Sequence, residues 1–189
     1  MMHNNAQQSD VGAAFRRPSG VPIRKPNRLK DYDYSHYGAY FVTICAKDNL
    51  DLFASIDTVA GAASCRPSLT ATGKIIENEI KKLSHTYKDV IVEHHVIMPN
   101  HVHMIIFIDA AEKNGRQDAA PTVSRTIGQW KRAVSIKAGR SVWQKSFYDR
   151  VIRNEKEYRT IAEYIENNPQ RWKEDKYYPQ GRHSAARNS

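Results

Sequence analysis

Two apolar segments, Val90–Met98 and His101–Ile108, are separated only by Pro99-Asn100. Pro-Asn between runs rich in β-branched residues is a turn signal, so the pattern predicts an antiparallel hairpin. "AYFVTICA" (Ala39–Ala46) reads as another strand, and Ser141–Ile152 as a further extended segment. Thr70–Leu83 reads as a helix on the stripe Ile75, Ile76, Ile80 and Leu83. A second helix runs from Val123 to about Ala138 on Ile127, Trp130 and Val134, with Gly139 at its end. A third covers Asn154–Asn168 and is stopped by Pro169. Asp57–Leu69 reads as a loop or short hairpin, and Asp109–Thr122 as a polar loop. The order strand, helix, strand, strand, helix, strand, helix fits the α+β class. It predicts a ferredoxin-like split βαβ with an antiparallel sheet of four or five strands and two helices on one face. The other face is then left for the last helix to cover in part.

A chain of 189 residues suits one domain with a real core. Lys plus Arg total 29 against 20 acids, a net charge of +9. That excess suits a polyanionic partner, nucleic acid above all, and is also compatible with a merely soluble basic protein. Residues 1–30 read as a flexible basic arm, with Pro18, Pro22 and Pro26 and the pairs Arg16-Arg17 and Arg24-Lys25. The domain is expected over 31–172, followed by a polar tail over 173–189. Cys45 and Cys65 alone make neither a zinc site nor a disulfide framework, which points to a reducing cytoplasm. No apolar run approaches the ~18 residues of a membrane span, and the first residues have no signal-peptide core, so neither membrane nor secretion is expected.

Side chains alternate along a strand, so His101 and His103 share a face with Ile105 and Phe107. Val102, Met104, Ile106 and Ile108 point the other way, towards a helix-covered core. Two imidazoles ~6.5 Å apart along a strand can converge on one cation. An isolated His-x-His nevertheless reads more readily as two hydrogen-bonded structural histidines. His94 and His95 point to opposite faces and read as structural or solvated. On the last helix Tyr158, Ile161, Ala162 and Ile165 form the buried stripe. Tyr164 falls ~110° from its centre at about 100° per residue, with Asn168 on the same flank and Asn167 opposite. A nucleophile with an amide oxygen one turn on is one reading. A partly exposed tyrosine before plain helix termination is the other, and it is preferred for this pair alone. Tyr148 lies in an extended segment without an obvious polar partner.

Four blocks appear in order: "DYSHYGAYFVTIC", "VIMPNHVHMIIF", "VWQKSFYDRVIRNEKEY" and "YIENNPQRW". Together they resemble the REP-associated tyrosine transposases, the single-tyrosine branch of the HUH endonucleases, over roughly residues 28 to 172. The pairing of "PNHVH" with a downstream "YIxxNP" is what makes the resemblance specific. It implies Tyr164 as catalytic nucleophile and His101, His103 and Asn168 as ligands of Mg²⁺ or Mn²⁺. It also implies a metal-dependent single-stranded DNA endonuclease and strand transferase, cutting at REP-like hairpins through a 5′-phosphotyrosine link. A monomer in the cytoplasm, associated with the nucleoid, goes with that. The chain departs from the family at Ala54, where glycine is frequent, and in Asp57–Leu69.

For DNA contacts, charge singles out Arg24, Lys25, Arg28 and Lys30 in the arm, Lys131, Arg132 and Lys137 on the second helix, and Lys145, Arg150 and Arg153. Tyr34, Tyr37 and Trp143 are candidates for stacking on unpaired bases, though each singly reads as core or surface. The competing class is a non-catalytic single-stranded nucleic-acid module with an RRM-like fold, but no "RGFGFV"-like strand is present. A water-using, metal-dependent phosphoesterase with Tyr164 as bystander is the third reading.

Overall fold

The computed structural model describes residues 38–56, 66–87, 89–108 and 122–179. The basic arm with Arg24, Lys25, Arg28 and Lys30, together with Tyr34, Tyr37 and Cys65, lies outside the described residues.

The chain runs β1 (Gly38–Cys45), β2 (Ala54–Ser55), β3 (Ser68–Leu69), α1 (Ala71–Thr86), β4 (Val90–Ile97), β5 (His101–Ile108), α2 (Val123–Lys137), β6 (Tyr148–Ile152) and α3 (Glu155–Asn167). Single 3₁₀ turns sit at Lys47–Asn49 and Trp172–Glu174. The main sheet is four-stranded in the order β4-β5-β1-β6, and every neighbouring pair is antiparallel. β1 and β4 therefore run the same way with β5 between them, which is the split βαβ that the element order predicts. β2 and β3 make a separate two-stranded piece.

Each helix starts where its sequence offers a cap. The Thr70, Thr122 and Asn154 side chains accept hydrogen bonds from the amides of Gly73, Arg125 and Glu157. α2 ends before Gly139, whose φ of +66° is a conformation that glycine adopts without cost. The β4–β5 hairpin closes at Pro99-Asn100, with the Met98 amide donating to the His101 carbonyl at 2.9 Å.

Two cores lie on the two faces of the sheet. On one, Tyr40, Val42 and Ile44 of β1 and Val102, Met104, Ile106 and Ile108 of β5 pack against α1 and α2 through Ile76, Ile80, Leu83, Ile127, Trp130 and Val134. On the other, Ile105 and Ile152 meet Ile161, Ala162 and Ile165 of α3, flanked by Phe41 and Phe107. Strand alternation and the α3 stripe both follow the expected periods.

Two segments depart from the simple pattern. β4 carries a bulge between Val92 and His94, which leaves Glu93 as the extra residue. Only Tyr148–Ile152 of the extended segment 141–152 joins the ladder. Upstream, the chain crosses the end of β1, with a single bridge between Ala46 and Trp143. Lys47 N donates to Val142 O and Gln144 N to Cys45 O, so these backbone groups are satisfied without a longer strand. Among the described residues, no helix is long and apolar enough to cross a membrane.

The start of α1 is pressed against the chain before β2. The Thr70 hydroxyl donates to the carbonyls of Leu52 and Phe53, and a Cβ on Gly73 would lie 2.0 Å from the Phe53 carbonyl oxygen. Gly73→Ala is therefore expected to destabilise the fold by about 1–3 kcal/mol despite alanine's better helix propensity. Gly128 sits in α2 with nothing within 4 Å of an added Cβ, so Gly128→Ala should stabilise by up to about 1 kcal/mol. Urea denaturation of the two variants checks both signs.

Candidate active site

His101 and His103 leave β5 on the face that α3 partly covers. Both are buried, and their ring centroids lie 4.4 Å apart. Each ring is held from behind. His103 Nδ1 shares a 2.8 Å hydrogen bond with Thr43 Oγ1, the residue opposite it on β1. His101 Nδ1 lies 2.9 Å from Asn100 Oδ1. The Asn100 amide nitrogen donates to the Tyr177 carbonyl at 2.8 Å, which fixes its oxygen towards the imidazole. An amide oxygen can only accept, so His101 carries its proton on Nδ1 and presents a bare Nε2 lone pair. That Nε2 is buried without a hydrogen-bond partner. Metal-ligating histidines are oriented by second-nitrogen bonds of this kind.

Tyr164 projects from the flank of α3 and is 39% exposed, enough for a substrate to reach it. Its hydroxyl lies 3.3 Å from His103 Nε2 and donates to Asp175 Oδ2 at 3.1 Å. Asn168 is buried one turn beyond. Its amide nitrogen donates to the same Asp175 oxygen at 2.7 Å, and its Oδ1 has no hydrogen-bond partner. Side-chain ligand atoms of His101, His103 and Asp175 all lie within 4.8 Å of one another, close enough to share a metal ion. Two imidazoles, one carboxylate and a spare amide oxygen are a fitting donor set for a divalent cation. The orphaned His101 Nε2 and Asn168 Oδ1 are the buried atoms that such an ion would satisfy.

Asp175 is the member of the cluster that sequence reasoning missed. It falls at 173–179, a stretch read as tail, yet Asp175 is buried and Trp172 and Tyr177 pack their rings near His101. Asp175 Oδ1 accepts from the Tyr177 amide at 2.7 Å, which pins the turn. The one available signal was an acid-aromatic run, "WKEDKYY", following the helix.

Burial holds the imidazoles neutral. It lowers His101 to about 3, with the nearby Lys176 charge adding to the effect. Burial and then the His101 charge take His103 well below the usual imidazole range. Burial and the Asp175 carboxylate push the Tyr164 phenol up, so without added positive charge it is a hydrogen-bond donor and not a phenolate. A cleft of 590 Å³ opens beside it, lined by Thr160, Tyr164, Asn168, Arg171, Asp175 and Lys176 among others.

The basic candidates fall in different settings. Lys131 turns inward and donates to the carbonyls of Gln144, Lys145 and Ser146 at 2.7, 3.3 and 3.4 Å. Lys137 pairs with Glu79 at 2.5 Å, and Arg150 pairs with Glu157. Arg132, Lys145 and Arg153 are exposed. Trp143 is 6% exposed and packs between Phe53 and Trp130, which removes it as a stacking surface. The β4 bulge sends His94 to the α3 face, where it meets the Tyr158 hydroxyl at 3.0 Å, while His95 stands opposite Met104 on the other face. The Tyr158 hydroxyl donates to Glu93 at 2.7 Å, so Tyr158 lies at the core's edge with a polar anchor.

No family model matches the chain. An uncharacterized protein of Haemophilus influenzae (strain ATCC 51907 / DSM 11121 / KW20 / Rd) is 30% identical over 178 residues, covering 85% of this chain and 96% of that protein. The structure of a REP-associated tyrosine transposase bound to a REP hairpin superposes with a TM-score of 0.54 at 21% identity, covering 77% of this chain and 74% of that one. That likeness is one of fold, and it is the fold that the four sequence blocks imply.

The neutral histidines make acid stability a readout of the site. Their folded values lie below the unfolded value of about 6.5, so the unfolded chain takes up protons first. Stability is complete above about pH 6.5 and is lost as pH falls below it, for His101 down to about 3, by up to about 1.4 kcal/mol per pH unit for each histidine that titrates. Chelator-treated protein unfolded in urea between pH 7 and 5 should show this slope, and His101→Gln should flatten it. An unchanged slope in the variant would contradict the neutral assignment.

Proposed function

We propose that this chain, which belongs to one family with the Haemophilus influenzae protein and has the fold of a REP-associated tyrosine transposase, is a metal-dependent nuclease and strand transferase acting on single-stranded DNA. The observation that carries this reading is the Tyr164 hydroxyl 3.3 Å from His103, beside the cluster His101, His103 and Asp175. The relative of known structure holds a REP hairpin, and we extend that substrate class, a hairpin with a flanking single strand, to this chain.

A divalent cation, Mg²⁺ or Mn²⁺, held by His101, His103 and an oxygen of Asp175 or Asn168, would withdraw charge from a phosphoryl oxygen. The chain's own residues do the rest. Asn100 and Thr43 hold the two imidazoles in place. Asn168 and the Tyr177 amide hold Asp175. Asp175 in turn orients the Tyr164 hydroxyl, which is the proton-bearing nucleophile. Attack of Tyr164 Oη on phosphorus forms a phosphotyrosine ester as the bond to the 3′ oxygen breaks. The phenol proton leaves and the released 3′ oxygen ends as a hydroxyl. The ester's energy is kept in the new bond, so a second 3′-hydroxyl can reverse the step on another strand. That makes strand transfer, and not hydrolysis, the reaction class. A non-catalytic binding module gives no reason for a phenol, two neutral imidazoles and two orphaned ligand atoms at one point.

Incubation with an end-labelled hairpin oligonucleotide and Mg²⁺ or Mn²⁺, followed by denaturing electrophoresis, tests the reading. Label should stay on the protein, and chelation should abolish it. Tyr164→Phe should lose the adduct while binding within about two-fold of wild type, since a neutral hydroxyl contributes little to affinity that comes from cations on phosphates. Cutting without an adduct would instead make the protein a hydrolase. Asn100→Ala should raise the metal concentration needed for half-maximal adduct formation by about 10- to 100-fold, as expected for a residue that orients a ligand.

A further inference from the structure

The edge strand β6 carries an exposed ring on the same side of the sheet as the site. Tyr148 is 43% exposed and stands opposite Thr43 on β1, which itself stands opposite His103 on β5. Directly opposed residues share a face of the sheet. The Thr43 bond to the His103 ring identifies that face as the one holding the site. His103, Thr43 and Tyr148 thus form a row across three strands, and two strand spacings put Tyr148 ~10 Å from His103 in Cα terms. α3 reaches β6 through Ile152 and through the Arg150–Glu157 ion pair, and Tyr148, at the other end of β6, stays exposed.

A cation accompanies the ring. Lys176 Nζ lies 5.9 Å from the Tyr148 ring centroid and 4.8 Å from that of Tyr177. Lys176 is exposed, lines the cleft together with Tyr164, and follows Asp175, whose bonds fix the turn. An exposed tyrosine alone would need no explanation. An exposed aromatic ring with an ammonium near it, on the sheet face that holds the candidate site, is a combination that can hold unpaired nucleotides by stacking and phosphate attraction.

We propose that Tyr148 is the stacking platform for the base of a nucleotide flanking the scissile phosphate, and that Lys176 binds the phosphate between them. This rests on the single-stranded DNA reading above and adds to it the residues that set the path of the strand away from Tyr164. The ring, and not its hydroxyl, is the working part. Base recognition at Tyr148 is sequence-tolerant because every base has a stacking face.

The test uses the full chain with Mg²⁺ or Mn²⁺ and hairpin oligonucleotides carrying 2-aminopurine at successive flanking positions. Binding is read in the Tyr164→Phe background and adduct formation with Tyr164 present. At one flanking position the fluorescence should be quenched on binding. Tyr148→Ala should lose that quench and weaken binding about 5- to 150-fold, the range for stacking one base on an aromatic ring. Tyr148→Phe should restore both. Lys176→Ala should lower the salt dependence of binding by about one phosphate's worth. Should Tyr148→Ala lower the thermal midpoint, Tyr148→Leu keeps apolar volume without the aromatic face and decides the point. If wild type forms the adduct while both Tyr148 variants lacking an aromatic ring bind and quench like it, this inference alone falls. If wild type neither binds nor reacts with any hairpin, the functional reading falls with it.

Discussion

The pairing of β5 with β1 positions everything else. β5 is buried on both faces, so each of its side chains is assigned to a side by alternation alone. Val102, Met104, Ile106 and Ile108 enter the larger core under α1 and α2, and that hydrophobic commitment leaves His101 and His103 no choice of direction. A slip of one residue would bury the imidazoles in the helix-covered core and turn the apolar set towards the cleft. The same ladder puts Thr43 behind His103 and Tyr148 beyond Thr43. Packing thus aims the chemistry: the register that satisfies the core is the register that assembles the site.

The site itself stores a cost. Two imidazoles are kept neutral in a buried place, and His101 Nε2 and Asn168 Oδ1 have no hydrogen-bond partner. An unmade buried hydrogen bond costs on the order of 1–3 kcal/mol, a cost that a cation bound by these atoms would relieve. Asp175 has the opposite character. Its carboxylate collects the Tyr164 hydroxyl, the Asn168 amide and the Tyr177 backbone amide, and so ties α3 to the segment after it. The raised phenol of Tyr164 follows from the same carboxylate and from burial. A phenolate at this position would therefore need added positive charge at the cluster.

The departures from the sequence reading have physical reasons. The bulge at Glu93 is invisible to a period-two pattern, because one extra residue shifts the faces without changing composition. Segment 141–147 is apolar enough to read as strand, yet its backbone is satisfied by crossing the end of β1, and its Trp143 serves the core. Lys131 counted as a free cation by charge, but three backbone carbonyls gather around it. Helix limits came within one to three residues because Thr70, Thr122, Asn154 and Gly139 are caps whose local chemistry needs no tertiary context.

By itself, the sequence determined the periodicities and the punctuation, and with them the element order, the hairpin at Pro99-Asn100, the shared face of His101 and His103, and the flank position of Tyr164. Those are local consequences of strand and helix geometry. Only the tertiary structure decided that the flank of α3 meets the face of β5 with 3.3 Å between hydroxyl and imidazole, and that Asp175 returns from beyond the helix to complete the cluster. Distances between elements far apart in the chain depend on how two cores pack on one sheet, and no pattern within a single element carries that information.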